Sequence, residues 1–310
     1  GEGESLQELE AYFRQIWNED CVQIKGGRKK NRSDISVSEE AADDSEGAES
    51  NSKNSNIVNG IPNVENEITD ETQEKLSKYE KQYQSLEMRY ASLKEKYTDI
   101  EDYSSWQEDT IPVNKITLVN NGTHAGPKTP LVLQTIRYLA QNAENVTIQT
   151  PYVICNGYMY DTLNEIASHA QLKIILNAVE KGSNPWGCTD YLNQKKKILN
   201  TGADVYELMN EVPVHTKAVL LDDRLSIVGS YNLDMRSTYL DTELMLVIDS
   251  KELNQQIQST EGTYIEKSKE VLSNGQETEG GQYETKELNW QKKLFYGVLR
   301  IIIRPLRQLL

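Results

Sequence analysis

Between residues 114 and 256, short β-branched and aliphatic runs alternate with segments of helical periodicity. ITLV (116–119), VTIQ (146–149), LKIIL (172–176), DVYEL (204–208), KAVLL (217–221), LSIVG (225–229) and LMLVI (244–248) read as strands. Residues 130–143, 157–169 and 189–200 read as helices between them. Such alternation predicts an α/β fold, a mixed β-sheet sandwiched by helices. A continuously apolar run such as LKIIL suits a central strand buried on both faces.

Outside this block the pattern changes. Residues 5–18 predict a short amphipathic helix with Leu6, Leu9, Phe13, Ile16 and Trp17 on one face. Residues 25–66 hold few large apolar side chains and read as a disordered acidic linker. Residues 67–113 read as a charged helical insertion. Its seam of Leu76, Tyr79, Tyr83, Leu86, Tyr90, Leu93 and Tyr97 steps by three and four. A helical arm on its own domain and an intermolecular coiled coil both fit that seam. Residues 257–289 read as a polar connector and 290–310 as a basic amphipathic helix.

Charge sharpens this division. The 310-residue chain has net charge −15, and residues 1–111 supply 26 acidic against 13 basic side chains. Residues 291–310 carry Lys292, Lys293, Arg300, Arg304 and Arg307 and no acid. Such a balance argues against a general nucleic-acid binder. Cys21, Cys155 and Cys188 lie far apart, and His occurs three times, so neither a disulfide framework nor a metal-spaced cluster is expected. No cofactor motif is present, and no run of about 18 apolar residues makes a membrane span.

The candidate chemistry lies in HTKAVLLDDRLSIVGSYNLDMRSTYLDTE, residues 215–243. His215 and Lys217, two apart on a strand, project to one face. A second strand delivers Gly229, Ser230 and Asn232 to a turn entering a short helix. Glycine permits close backbone approach, and a helix start favours an anion. Imidazole, ammonium, amide and hydroxyl together suit a phosphate: a nucleophile or acid, a counter-charge and hydrogen-bond donors. Asp222 is expected to stabilise the turn between strands. His124 and His169 read as surface or packing residues. Tyr152, in the phrase TPY, either lines a substrate mouth or closes the edge of the core.

The string H-x-K-x4-D-x6-G-S-x-N, here His215, Lys217, Asp222, Gly229, Ser230 and Asn232, resembles the signature of the phospholipase D superfamily. NLDMRSTYLDTELMLVID and TPYVICNGYMYDTLNEI look most like its bacterial cardiolipin synthase branch. The resemblance covers about residues 114–256. It implies catalytic roles for His215, Lys217, Asn232, Ser230 and Glu243, the last as a carboxylate bonded to the active-site His. It also implies phosphatidyl transfer through a phosphohistidine, with a phospholipid substrate and no metal. The alternatives are phospholipase D-type hydrolysis and a non-catalytic, membrane-associated single-motif scaffold.

The superfamily mechanism uses two imidazoles, and this sequence has one H-x-K; residues 1–113 contain no His. SLQEL (5–9) echoes SKEL (250–253), and AYFRQIWNED resembles the end of a first half. These features imply that residues 1–24 are the remnant of a preceding half, the second motif coming from upstream in the same polypeptide or from a homodimer. A defective single half is the remaining option. The 290–310 segment is too short and too charged to span a bilayer. It reads as an interfacial helix on an anionic membrane surface, giving peripheral attachment to a bacterial cell membrane. A terminal helix docked on the core is the competing reading.

Overall fold

A computed structural model describes residues 4–18, 70–98, 110–272, 275–278 and 288–309. The chain divides into two units, residues 24–110 and the remainder. Within the first, helix α2 spans Asp70–Lys96, and Tyr79, Tyr83, Leu86, Tyr90 and Leu93 along its seam are exposed. The linker expected at 25–66 lies outside the described residues.

The second unit is built on one eight-stranded sheet: β1 Lys115–Asn120, β2 Asn145–Gln149, β3 Gln171–Asn177, β4 Asp204–Leu208, β5 Ala218–Leu221, β6 Leu225–Gly229, β7 Leu244–Asp249 and β8 Ser268–Val271. Their order is β1-β7-β6-β5-β2-β3-β4-β8. β2, β3 and β4 are parallel, and every other pairing is antiparallel. The sheet is mixed, as the alternation of patterns predicts.

The period-2 rule sorts the sheet's faces. Val146, Ile148, Leu172, Ile174, Val219 and Ile227 point one way and are buried with Leu133, Ile136, Leu163 and Ile166. Those partners belong to α3 (Leu131–Ala140) and α4 (Gly157–Ala167). Asn156 caps α4 by accepting from the Met159 amide. α5 (Pro185–Leu199) starts with Pro at its first turn and Asn184 as cap. His169 acts as a packing residue, its ring nitrogens bonded to the Glu165 and Ala140 carbonyls.

The opposite face corrects the expected boundary at residue 256. A helix, α7, runs Lys251–Glu266 and delivers the chain to β8, so residues through 271 belong to the sheet unit rather than to a connector. Apolar periodicity misses α7 because its buried residues are Asn254 and Glu261. Glu261 is 3% exposed, and its Oε1 has no hydrogen-bond partner. It lines a cavity with Thr147, Lys173 and Gln258. Burial pushes its carboxyl up to about 8, against the pull of Lys173.

Two helices differ in detail from their sequence pattern. α1 (Glu4–Asn18) buries Tyr12 at 6% exposure, while Leu6 and Phe13 point outward. Gln15 of α1 donates to Thr123 at 3.0 Å, next to the end of β1. α8 (Trp290–Ile302), followed by a 3-10 turn over Arg304–Leu309, packs on α5 through Tyr296, Leu299 and Ile303. The apolar triplet is therefore not uniform: Ile303 is wholly buried, whereas Ile301 and Ile302 are exposed. Arg307 makes a two-pronged ion pair with the buried Asp190 of α5 at 2.7 and 2.8 Å.

The protonated Glu261 makes a stability prediction. A carboxyl whose folded pKa of about 8 exceeds its unfolded value of 4.5 keeps its proton after the unfolded chain has lost it. Stability from this group is therefore complete below pH 4.5 and is lost as pH rises toward 8. Glu261→Gln, which keeps the shape without ionising, should stabilise the fold at pH 8–9 by about 4 kcal/mol and change little at pH 4. Urea unfolding at the two pH values measures this. Equal effects at both would rule out titration of Glu261.

Candidate active site

β5 begins where β6 ends and β7 begins, so three antiparallel strands bring their termini to one edge of the sheet. The parallel strands β2–β4 end there too, the edge at which open α/β sheets form their binding crevices. His215 and Lys217 lie in the extended segment just before β5. Gly229 closes β6, and Ser230 and Asn232 follow it. Glu243 immediately precedes β7. These six residues line one open basin with Arg236, Asp241 and Thr242.

Glycine at position 229 is a steric requirement. It sits opposite Met245, and a Cβ there would fall 2.1 Å from the Leu244 carbonyl oxygen and 2.9 Å from the Met245 Cα. The neighbouring Ser230 amide donates to that same Leu244 carbonyl at 2.9 Å. Ser230 Oγ donates to Glu243 and accepts from the Leu244 amide. The hydroxyl thus ties the β6 terminus to the β7 start.

The electrostatics are local. Lys217 Nζ lies 2.7 Å from His215 Nδ1 and 2.7 Å from the His215 carbonyl oxygen. The same-face expectation for H-x-K therefore holds. Partial burial, then the Lys217 charge, lowers the His215 pKa. Burial also lowers Lys217, opposed by Glu243 and Asp234. Among the described residues Glu243 is bonded through Ser230, and no hydrogen bond joins it to the His215 ring. Its backbone carbonyl accepts from the Asn121 amide at 3.0 Å.

The expected anion seat at a helix start is already filled. The short helix α6 covers Met235–Tyr239, one turn and a little more, and its cap Asp234 accepts from the Ser237 amide at 2.6 Å. Asp234 is almost fully buried, and desolvation raises its carboxyl to about 6, assisted by Glu243 and Asp241. Asn232 also lines the basin: its Nδ2 donates to Ser237 Oγ at 3.3 Å, while Oδ1 is buried without a partner. Turning the amide over would let Oδ1 accept from Ser237 and put Nδ2 in the buried position, an exchange that leaves the heavy-atom geometry unchanged.

Asp222 stands at the far end of β5 from His215. It adopts φ 51° and accepts from the Glu144 and Asn145 amides at 2.9 Å each, fixing the β5–β6 turn against β2. Tyr152 lines a second cavity beside the basin, with Asn184, Cys188, Val214 and His215. The tyrosine ring approaches α5 at Gly187, where a Cβ would lie 2.9 Å from it. His124 bonds the Pro127 carbonyl at 3.1 Å, away from these residues.

Three positioning residues lack a motif. Asn177, at the end of β3, accepts from the Val214 amide at 2.9 Å and donates to the Val214 and Pro151 carbonyls. It thereby grips the chain one residue before His215. Asn121, wholly buried, accepts from the Val132 amide and donates to the Ser237 carbonyl, holding α6 to α3. Tyr12 of α1 is close enough to Glu243 for that charge to raise its pKa, after burial. A polar residue ending the apolar run LKIILN was the available signal for Asn177. Among the described residues no His, Cys, Asp and Glu group is arranged to hold a metal ion.

Residues 135–260 match the family model described as "Cardiolipin synthase, PLD-like domain". The chain is 31% identical over 153 residues to cardiolipin synthase A of Escherichia coli O157:H7, covering 47% of this chain and 30% of that protein. It is 28% identical over 169 residues to cardiolipin synthase A of Buchnera aphidicola, covering 51% and 33%. The match thus spans about a third of the length of these relatives. Among solved structures, phosphatidylserine synthase of Haemophilus influenzae aligns at 18% identity and TM-score 0.48, over 65% of this chain and 49% of that one.

Two measurements test the site's construction. Histidine NMR should find His215 titrating below 6.5, and Lys217→Met should move it upward. A Lys217→Met variant with an unmoved His215 would mean that the ammonium does not act on the ring. Gly229→Ala should cost roughly 2 kcal/mol of stability through forced separation of β6 from β7. Unchanged thermal unfolding would show that the strand junction can relax.

Proposed function

We propose that this chain, whose residues 135–260 match the family model described as "Cardiolipin synthase, PLD-like domain", supplies one half of a phosphatidyl-transfer site. The observation that carries the reading is the convergence of His215, Lys217, Ser230 and Asn232 on one basin around the Gly229 junction. The substrate is a phospholipid phosphodiester, and the acceptor is the hydroxyl of a second lipid.

The free site holds its charge in a waiting arrangement. Lys217 occupies Nδ1 of the imidazole. A phosphodiester anion entering the basin draws that ammonium onto its own oxygen and, being negative, raises the His215 pKa. Protonation of His215 is thereby coupled to substrate binding. Lys217 and the Asn232 amide then stabilise charge on the phosphoryl oxygens.

The complete reaction needs a second imidazole, from another half of the same polypeptide or from a second copy. That imidazole attacks phosphorus, forming P–N and breaking P–O, while His215 gives its proton to the departing alkoxide. His215 then takes the proton of the acceptor hydroxyl as its oxygen attacks phosphorus and P–N breaks. Water in place of the lipid alcohol gives hydrolysis by the same steps.

In the native assembly carrying both halves, with phosphatidylglycerol vesicles as substrate, His215→Ala should abolish turnover. Lys217→Ala and Asn232→Ala should each lower kcat by about 10²-fold. Excess chelator should leave the rate unchanged. Full activity in His215→Ala would overturn the proposal, and an effect of Lys217 or Asn232 confined to KM would reduce them to substrate binding. Product analysis separates cardiolipin-type transfer from release of phosphatidic acid.

A further inference from the structure

The outer surface of the C-terminal helix is at odds with its inner one. Tyr296, Leu299 and Ile303 dock on α5, and Arg307 is neutralised by Asp190. Docking therefore satisfies the helix, yet Trp290, Leu294, Phe295, Val298, Ile301 and Ile302 are left exposed, Ile301 at 71% and Leu294 at 62%. At 100° per residue these six fall within an arc of roughly 140° on the side away from the docked residues. Leu306 and Leu309 extend the exposed apolar surface through the 3-10 turn.

The cations of this segment complement that surface. Arg300 is held by the Asn193 side-chain oxygen and the Leu192 carbonyl, both neutral, so it keeps its charge. Lys292 and Arg304 are exposed, and among the described residues no ion pair joins either to an acid. On the wheel Lys293 and Arg300 border one edge of the apolar arc, and Arg304 follows at the 3-10 turn. No acidic residue occurs between 291 and 310. A continuous aliphatic and aromatic face, opened by Trp and edged by positive charge alone, is the composition of a helix lying in an anionic lipid interface. Among the described residues no helix is long and apolar enough to cross a membrane.

The geometry points to α8 and its 3-10 extension as a preformed docking face for an anionic phospholipid bilayer. The inserting side chains are Trp290, Leu294, Phe295, Val298, Ile301 and Ile302, and the cations meet the headgroups. The helix does not need to undock to bind, because Tyr296, Leu299 and Ile303 stay on α5. Attachment is independent of the chemistry at His215.

Flotation of the full chain with phosphatidylglycerol vesicles tests this. The parent chain should float with them, and about tenfold less with phosphatidylcholine vesicles or in high salt. Leu294→Asp combined with Ile301→Asp should reduce binding about tenfold or more, with circular dichroism and thermal unfolding as in the parent, since both side chains are exposed. Lys293→Gln with Arg304→Gln should weaken binding to anionic vesicles alone. His215→Ala should float like the parent, which separates this assignment from the catalytic proposal. Bromolipids in the vesicles should quench the emission that Trp290→Phe removes. Unchanged flotation of the double Asp variant, equal binding to both lipids, or absence of Trp290 quenching would each overturn the assignment. So would a fall in sedimentation mass on the double Asp substitution, which would give the face to a second copy of this chain.

Discussion

Everything at the candidate site depends on how closely β6 and β7 meet at Gly229. The Leu244 carbonyl receives the Ser230 amide at 2.9 Å and occupies the space a Cβ at 229 would need. That approach sets Ser230 on Glu243 and puts Asn232 beside Ser237. Because β5 is antiparallel to β6, the same edge receives His215 and Lys217. A ladder of backbone hydrogen bonds thus converts separated sequence positions into one basin, and a single absent methyl group allows it. Hydroxyl, amide and carboxylate are fixed by strands, while imidazole and ammonium sit on an extended segment gripped by Asn177.

Keeping these groups chemically useful requires partial desolvation without burial of an unpaired charge. The basin is open, but its floor is not. Lys217 and Glu243 are buried, and Asp234 beneath them holds its proton up to about pH 6. Lys217 faces two carboxyls that hold its charge and one imidazole that shares its donor. A dianionic floor would retain the ammonium and repel a phosphodiester. Raising the Asp234 pKa moderates that repulsion at mildly acidic pH, and the Ser230 bond spreads the Glu243 charge.

The sequence made the apolar strands legible because period-2 and continuous hydrophobic runs report burial directly. β2 through β7 fall within a residue or two of the expected ranges. The motif residues were legible for a different reason: their mixed chemistry at fixed spacing has no packing explanation. α7 and β8 were not legible. The helix buries Asn254 and Glu261, and SKEV places Lys269 among Glu180, Glu207 and Glu277. Burial alone would lower that lysine, but the three carboxylates outweigh it and hold it above the ordinary range. Hydropathy cannot report a core whose buried side chains are polar. Asn121 was hidden likewise, since an asparagine satisfying backbone groups leaves no trace in spacing, and Asn177 left only the polar end of its apolar run. The terminal helix was legible as amphipathic, but which isoleucine faces inward followed from α5, not from the pattern itself.

α5 touches both the terminal segment and the cavity beside His215. Its first turn lines the cavity that Tyr152 shares with His215, and Gly187 in that turn lets the tyrosine ring lie against the backbone. Its second turn offers Asp190 to Arg307, and Asn193 exchanges hydrogen bonds with Arg300. Asp190 is wholly buried, so it needs Arg307 as counter-charge; losing the terminal segment would leave an unpaired carboxylate under α5. The resulting strain falls on the helix that forms one wall of the Tyr152 cavity. The terminal helix is therefore part of the domain's structure as well as its apolar outer surface, and whatever meets that surface is held at a fixed orientation to the cavity beside His215.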